Sequence, residues 1–273
     1  MRNRVKVAAI QMNSGPSVDE NLEVVSDLVA DAAAAGAKLV VLPENVCLMA
    51  DTHQRRLAVA ARGDEVAARL ADMARGNSLC LVGGTIPLPA PESRVTNSCL
   101  VYSAAGELMG RYDKMHLFDV QLDHGETYGE SEHTVPGDVP LSVEALDTCL
   151  GITICYDMRF PELYRDLASR GAEVFTVPSA FTVATGEAHW EVLLRARAIE
   201  NLAMVIAPAQ EGTHVGGRKT YGHSMIISPW GEILAQQRFG SGVIVAELDL
   251  LRLRQQRDQF PVLRHRRFLG SLD

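Results

Sequence analysis

Aromatic side chains are scarce in this 273-residue chain. They make up 5% of it, and two of them are tryptophan. A core must therefore be built mostly from aliphatic residues and alanine, for which a hydrophobic fraction of 47% supplies the material. Positive charge is outnumbered, with 26 Lys and Arg against 34 Asp and Glu, a formal net charge of -8. That balance argues against non-specific binding to nucleic acid or to an anionic membrane, while leaving room for a local basic pocket. No uninterrupted apolar stretch is long enough to span a bilayer. The opening MRNRVKVAAIQM carries too short an apolar run for the core of a signal peptide. Five cysteines, Cys47, Cys80, Cys99, Cys149 and Cys155, are an odd number in a chain that is not small, which disfavours a disulfide framework. A protein of the reducing cytoplasm is expected. There is no linker, internal repeat or low-complexity tract, so residues 1–273 read as one domain with a charged tail from about Leu250.

What is present is an alternation of strands and helices. VKVAAIQ (5–11) reads as a strand. A helix over 20–36 follows, with Leu22, Val25, Leu28, Val29 and Ala32 at helical spacing and Gly36 at its end. KLVVL (38–42) is the next strand, stopped by Pro43 and Glu44. A helix over 64–75 precedes a strand LCLVGGTI (79–86), where Gly83 and Gly84 allow a bend or a close approach. TNSCLVYS (96–103) and 107–112 predict a hairpin turning through AAG. The polar segment from Asp113 to Pro140 is unusually long for a structureless connection, which suggests a functional loop. TCLGITI (148–154) predicts a buried strand ending at Cys155, followed by a helix over 161–172 that opens on Pro161 and closes at Gly171. VFTVPS (174–179), a helix over 187–201 and MVIAPA (204–209) continue the pattern. Strands near 223–229 and 243–248 are separated by a WGEI turn. Mixed sheets with helices outside are expected.

Three apolar runs end abruptly in a reactive side chain: Glu44 in LVVLPEN, Lys114 in GRYDKMH and Cys155 in GITICYDMRFPEL. Strand ends are where α/β proteins assemble their sites. Cys155 is the natural nucleophile, provided nearby positive charge or turn amides lower its pKa. Its own context leaves open the plain alternative of a buried apolar thiol. Cys80 and Cys149 read as core. Glu44 is a proton acceptor or simply a strand-end acid, and Lys114 an oxyanion holder or a surface lysine. The histidines form no metal-binding spacing, and no metal is expected. A Cys–His dyad through His133 or His189 stays open, since nothing local selects either. No Walker sequence is present, and Gly-Gly at 83–84 and 216–217 is too weak a signal for phosphate binding.

Taken together, LPEN, YDKMHLFDV and CYDMRFPEL resemble the nitrilase-related carbon–nitrogen hydrolase superfamily. The likeness runs from VAAIQMNSG to GHSMIISPWGEI, nearly the whole chain, with its motifs in family order. The resemblance implies a four-layer αββα sandwich of two mixed sheets and a homodimer or higher homo-oligomer. It implies a triad of Glu44 as proton acceptor, Lys114 as oxyanion stabiliser and Cys155 as nucleophile, with the N–H of Tyr156 also facing the oxyanion. Glu130, in ESEHTVPG, is carried over as a supporting carboxylate. The loop around LDHGETY is longer than expected for close relatives, and whether residues 121–133 form a lid stays open. No cofactor is implied.

CYDMRFPEL, PSAFTVATGEAHWEVLLRARAIEN and YGHSMIISPWGEI are most similar to the deaminated-glutathione amidase branch, whose reaction yields 2-oxoglutarate and cysteinylglycine. The neighbouring omega-amidase branch acts on 2-oxoglutaramate. Hydrolysis of N-carbamoyl amino acids or aliphatic amides is a further alternative, and a catalytically silent member binding a metabolite or partner is the non-enzyme one. The implied substrate is a small carboxylated amide, so a cationic group is needed in the pocket. Arg159, Arg195 and Arg197 are candidates, the last two weighed toward a structural role on their helix, with Phe181, Thr182, Thr185 and His189 at the pocket mouth.

Overall fold

The computed structural model describes residues 4–121 and 127–267. Two mixed sheets form its centre. The first runs in the order Gly242–Asp249, Arg4–Gln11, Leu39–Val41, Cys80–Val82, Arg94–Tyr102, Ile86–Ala90, with Leu108–Asp113 also paired to Arg94–Tyr102. Its three strands Arg4–Gln11, Leu39–Val41 and Cys80–Val82 are parallel and the flanking pairs antiparallel. The second sheet runs Ile233–Gln237, Ser224–Ile227, Met204–Ala207, Val174–Thr176, Thr148–Ile152, Leu141–Ala145, again with a parallel centre and antiparallel edges.

The period of two in strand Arg4–Gln11 sets the layers. Val5, Val7 and Ala9 enter the core between the sheets, whereas Ala8 and Ile10 join Leu22, Val25 and Val29 of helix Val18–Ala34 and Leu70 of helix Gly63–Asn77. Helices Pro161–Ser169 and Glu191–Asn201 cover the second sheet with Tyr164, Leu167, Leu194 and Ala198. This is the αββα sandwich expected. Cys80, Cys99 and Cys149 lie in the core between the sheets, and Cys47 in the one beneath the first helix layer.

Several elements depart from the sequence reading. LCLVGGTI is two strands, broken where Gly84 (φ +62°) passes so close to the LPEN segment that a Cβ would meet Pro43 O at 2.1 Å. The WGEI turn joins Ser224–Ile227 to an unforeseen strand, Ile233–Gln237, while Gly242–Asp249 crosses to the other sheet beside Arg4–Gln11. Helix His53–Ala60 and strand Leu141–Ala145 were not foreseen either. The helix expected over 187–201 is regular from Glu191 to Asn201, preceded by a π turn at Gly186–Trp190. The charged tail forms helix Leu250–Gln259, docked on its own chain. Leu253 is buried, Arg254 pairs with Glu173 at 2.8 Å, and Arg257 donates to Leu202 O and Ala172 O. No described helix is long and apolar enough to cross a membrane.

Candidate active site

The three strand-end residues meet. Glu44 follows strand Leu39–Val41, Lys114 follows Leu108–Asp113, and Cys155 opens the short 3-10 turn after strand Thr148–Ile152. Lys114 Nζ donates to Glu44 Oε1 at 2.9 Å and to Glu130 Oε2 at 2.8 Å, and the lysine is 2% exposed. Glu44 Oε2 accepts the N–H of Ala180 at 2.9 Å, and its charge acts on the Cys155 thiol. The Glu44 backbone is held as well, its carbonyl accepting from Gln210 Nε2 at 2.9 Å. Asn97, on strand Arg94–Tyr102, donates through Nδ2 to Glu44 Oε1 at 2.9 Å and to Glu130 Oε1 at 3.4 Å. Glu130, at the start of the 3-10 turn Glu130–Glu132, also accepts Phe118 N–H. A buried ammonium thus sits between two carboxylates whose lone pairs are otherwise occupied, the arrangement that makes a desolvated charge tolerable.

Cys155 has φ +46°, a left-handed conformation that costs a non-glycine residue backbone strain. Asp157 ties this turn down. Its Oδ2 accepts from Ile154 N–H at 2.8 Å and from the Tyr112 hydroxyl at 2.7 Å, and its Oδ1 accepts from His116 N–H at 3.2 Å and contacts His116 Nδ1 at 2.7 Å. Asp157 is fully buried. One carboxylate therefore couples the nucleophile's turn to Tyr112 and His116, which flank Lys114 on both sides.

The electrostatics differ from the activated thiolate expected from sequence. Burial, then the Glu44 charge, pushes the Cys155 thiol far above its usual range, and Lys114 only partly opposes them. Burial also pushes Glu44 upward, but the charge and hydrogen bond of Lys114, with smaller contributions from Cys155 and Arg218, bring its carboxyl below the ordinary value. Burial depresses Lys114, yet Glu130, Glu44 and Cys155 together hold it well above the normal lysine range. The resting state is a thiol, a carboxylate and an ammonium. Thiol acidity does not single out Cys155, because burial also raises Cys47 and Cys80 to about 12. Geometry does: of the five cysteines, Cys155 alone lines the cavity.

That cavity has a volume of about 330 Å³, with Glu44, Lys114, Glu130 and Cys155 in its lining. Phe181, Thr182, Thr185 and Tyr156 line it too. Arg159 and His189 do not. They contact each other at 3.3 Å, and Arg159 lies over the rings of Phe181 and Tyr156. Arg195 pairs with Glu191 and donates to Gly231 O, while Arg197 is buried against Met158 O and Glu200. His133 reaches the wall, stacked on His53 with ring centroids 4.1 Å apart, and no histidine bonds to the thiol among the described residues. Sequence reasoning missed Asn97, Arg56 and Arg218. Asn97 stood in the TNSC run, but a polar residue in a strand carries no signal of its own. No group of three His, Cys, Asp or Glu is placed to hold a metal ion among the described residues. Residues 122–126, the centre of the long LDHGETY loop and of the lid question, lie outside the described residues.

Known proteins resemble this chain along nearly its whole length. The deaminated glutathione amidase of Synechocystis sp. is 42% identical over 266 residues, which are 96% of this chain and 98% of that one. The NitFhit protein of C. elegans superposes with a TM-score of 0.91 at 35% identity over 97% of this chain, which spans 65% of that longer protein. Nit3 of Saccharomyces cerevisiae, a member of branch 10 of the nitrilase superfamily, superposes with a TM-score of 0.86 at 31% identity, covering 97% of both chains. The carbon-nitrogen hydrolase family profile matches residues 6–258. With the αββα sandwich and the buried cysteine at its strand ends, these likenesses make the chain a member of the carbon-nitrogen hydrolase family.

Proposed function

We propose that the protein is a deaminated-glutathione amidase, releasing 2-oxoglutarate and cysteinylglycine, with Cys155 as nucleophile, Glu44 as proton acceptor and Lys114 as oxyanion stabiliser. The observation that carries the chemistry is the Lys114 ammonium bonded to the Glu44 carboxylate at a cavity wall that Cys155 also lines. The substrate is supported by the 42% identity to the amidase of that name.

The charge states order the steps. A thiol held neutral attacks as it loses its proton, so Glu44 accepts that proton while the sulfur bonds to the amide carbon. The carbonyl oxygen becomes an anion, and Lys114 with the Tyr156 N–H stabilises it. Collapse of the tetrahedral adduct breaks the C–N bond, and the amine leaves with the proton from Glu44. Water then adds to the thioester, giving a proton to Glu44. Expulsion of sulfur returns that proton to Cys155 and frees the acid. Glu130 and Asn97 keep Lys114 and Glu44 aligned throughout.

A homodimer through helix Glu191–Asn201 is part of the proposal. Val192 and Ile199 on that helix are 67% and 47% exposed, apolar surface of the kind an interface covers. The absence of disulfides among five buried thiols supports a reducing, cytoplasmic setting.

The test is a comparison of kcat/KM for deaminated glutathione, 2-oxoglutaramate, an aliphatic amide, an N-carbamoyl amino acid and a nitrile. Deaminated glutathione should lead, with release of cysteinylglycine. A clear preference for 2-oxoglutaramate would make the protein an omega-amidase instead. Cys155→Ala should abolish turnover in a folded chain, and wild-type rates in that variant would overturn the mechanism.

A further inference from the structure

We infer that Arg56 and Arg218 form the anion-binding end of the cavity and hold a carboxylate on the acyl half of the substrate, a few bonds from the carbonyl that Cys155 attacks. The inference rests on the amidase reading above and names the residues that select its substrate.

Charge is the first argument. Lys114 is matched by Glu44 and Glu130, which leaves one carboxylate in excess around the triad. Asp51, also in the lining, is paired with Arg55 at 3.1 Å. The two remaining guanidiniums, Arg56 and Arg218, more than offset that excess. In a chain of net charge -8 the lining thus sets three cations, Arg56, Lys114 and Arg218, against its three carboxylates. Asp51 among the latter is further neutralised by Arg55 from outside the lining, so that an anion is attracted at the arginine end.

The second argument is unused donor capacity. Among the described residues Arg56 makes no side-chain hydrogen bond, although it is half-buried on helix His53–Ala60 and burial holds its guanidinium below the usual range. Arg218 donates one Nη2 hydrogen to Ala180 O at 3.1 Å, and its Nε is buried with no partner among the described residues. Buried donors without acceptors are costly, and a planar guanidinium suits a carboxylate's two oxygens.

Position is the third. Arg218 binds the carbonyl of Ala180, the residue whose N–H binds Glu44, so it stands one residue from the proton acceptor. Its guanidinium lies 5.8 Å from the centre of the Tyr128 ring. Arg56 is close enough to Glu130 and Glu44 for both to act on its charge. A carboxylate between these groups belongs to a short acyl chain. Arg159, which contacts His189 outside the lining, is not placed to supply this contact.

The test uses the purified full chain and two readouts. Glutarate binding is followed by titration calorimetry. Hydrolysis is compared for glutaramate, with the carboxylate on the acyl side, pentanamide, with none, and N-pentanoylglycine, with the carboxylate on the leaving side. Arg56→Gln and Arg218→Gln should each weaken glutarate binding by about tenfold or more and lower the glutaramate-to-pentanamide ratio of kcat/KM through KM. Arg218→Lys should restore part of the binding, because it keeps the charge without the fork, and it is the second variant should Arg218→Gln fail to fold. Unchanged glutarate binding and an unchanged ratio in both Gln variants would overturn the inference. So would a loss confined to N-pentanoylglycine. Glutarate binding that depends on the arginines in an enzyme that hydrolyses neither these three amides nor deaminated glutathione would uphold this site while sinking the amidase reading.

Discussion

Lys114 Nζ and Glu44 Oε1 are 2.9 Å apart in a pocket of the fold where neither side chain is more than 4% exposed. With Glu130 on the other side of the ammonium, Lys114 is the only positive group hydrogen-bonded to these two carboxylates among the described residues. Lys114→Met should leave the two carboxylates facing each other with no ammonium between them. The expected loss is about 3–5 kcal/mol of stability by urea unfolding, the range for breaking a buried pair. Turnover should be lost with it. A variant that stayed as stable as the parent would show the two glutamates to be solvated.

The same pair shapes the pH profile of stability. Glu44 is lowered in the fold, so its contribution is present above the ordinary carboxylate value of 4.5 and is lost as acid titrates it in the folded state. Lys114 is raised, so its contribution is full below the ordinary 10.5 and fades only as the pH climbs through its folded value. Cys155 is raised too, so the unfolded chain releases that proton first and stability falls as the pH rises past 9.0. Cys155→Ala should therefore show a shallower alkaline decline than the parent in unfolding midpoints measured across that range. An equal slope in both proteins would contradict the buried neutral thiol.

In the proposed mechanism Glu44 accepts the thiol proton, and its charge disfavours the thiolate. Glu44→Gln should reduce kcat by about 10²–10⁴, the span of general-base contributions. The same change should lower the Cys155 pKa, followed by thiolate absorbance, because one source of its upward shift is gone. A variant that lost activity with no downward movement of the thiol would show that the carboxylate is too far away to act on it.

Asp157 reaches neither the cavity nor the thiol, yet it accepts from the turn that strains Cys155 and from the two residues flanking Lys114. Asp157→Asn should lower kcat with little change in KM, and should cost about 1–3 kcal/mol because buried donors lose an acceptor. Tyr112→Phe, which removes one of those donors, should be milder on both counts. A fall in stability without any effect on kcat would reduce Asp157 to a packing role.

Much of this site was legible because its chemistry stands where apolar runs stop. Glu44 and Cys155 each close a strand whose buried residues announce it. The strand before Lys114 buries only Tyr112, and there the family motif YDKMHLFDV gave Lys114 its place, as ESEHTVPG gave Glu130 its own. What escaped lies on half-exposed elements. Helix His53–Ala60 is polar through its first half and brings Arg56 and His53 to the wall without an apolar stripe along its length to reveal it. Arg218 rides on a turn between two three-residue strands. The edge strands Leu141–Ala145 and Ile233–Gln237 are mostly half-exposed, so their sequences lack the clean alternation of a covered strand. The sequence also pointed to a lowered Cys155 pKa from nearby positive charge. The desolvation that reverses it comes from packing between the two sheets, which a local motif does not record.

The buried, protonated state of Cys155 also bears on the protein's lifetime in air. Peroxide and other electrophiles react with the thiolate, and a thiolate stored at rest would be consumed between turnovers. In the mechanism proposed above, the sulfur gives up its proton to Glu44 only as it attacks the substrate carbonyl. The burial and the neighbouring negative charge that disfavour its ionisation thus act as a safety catch, keeping the oxidant-sensitive thiolate scarce at rest.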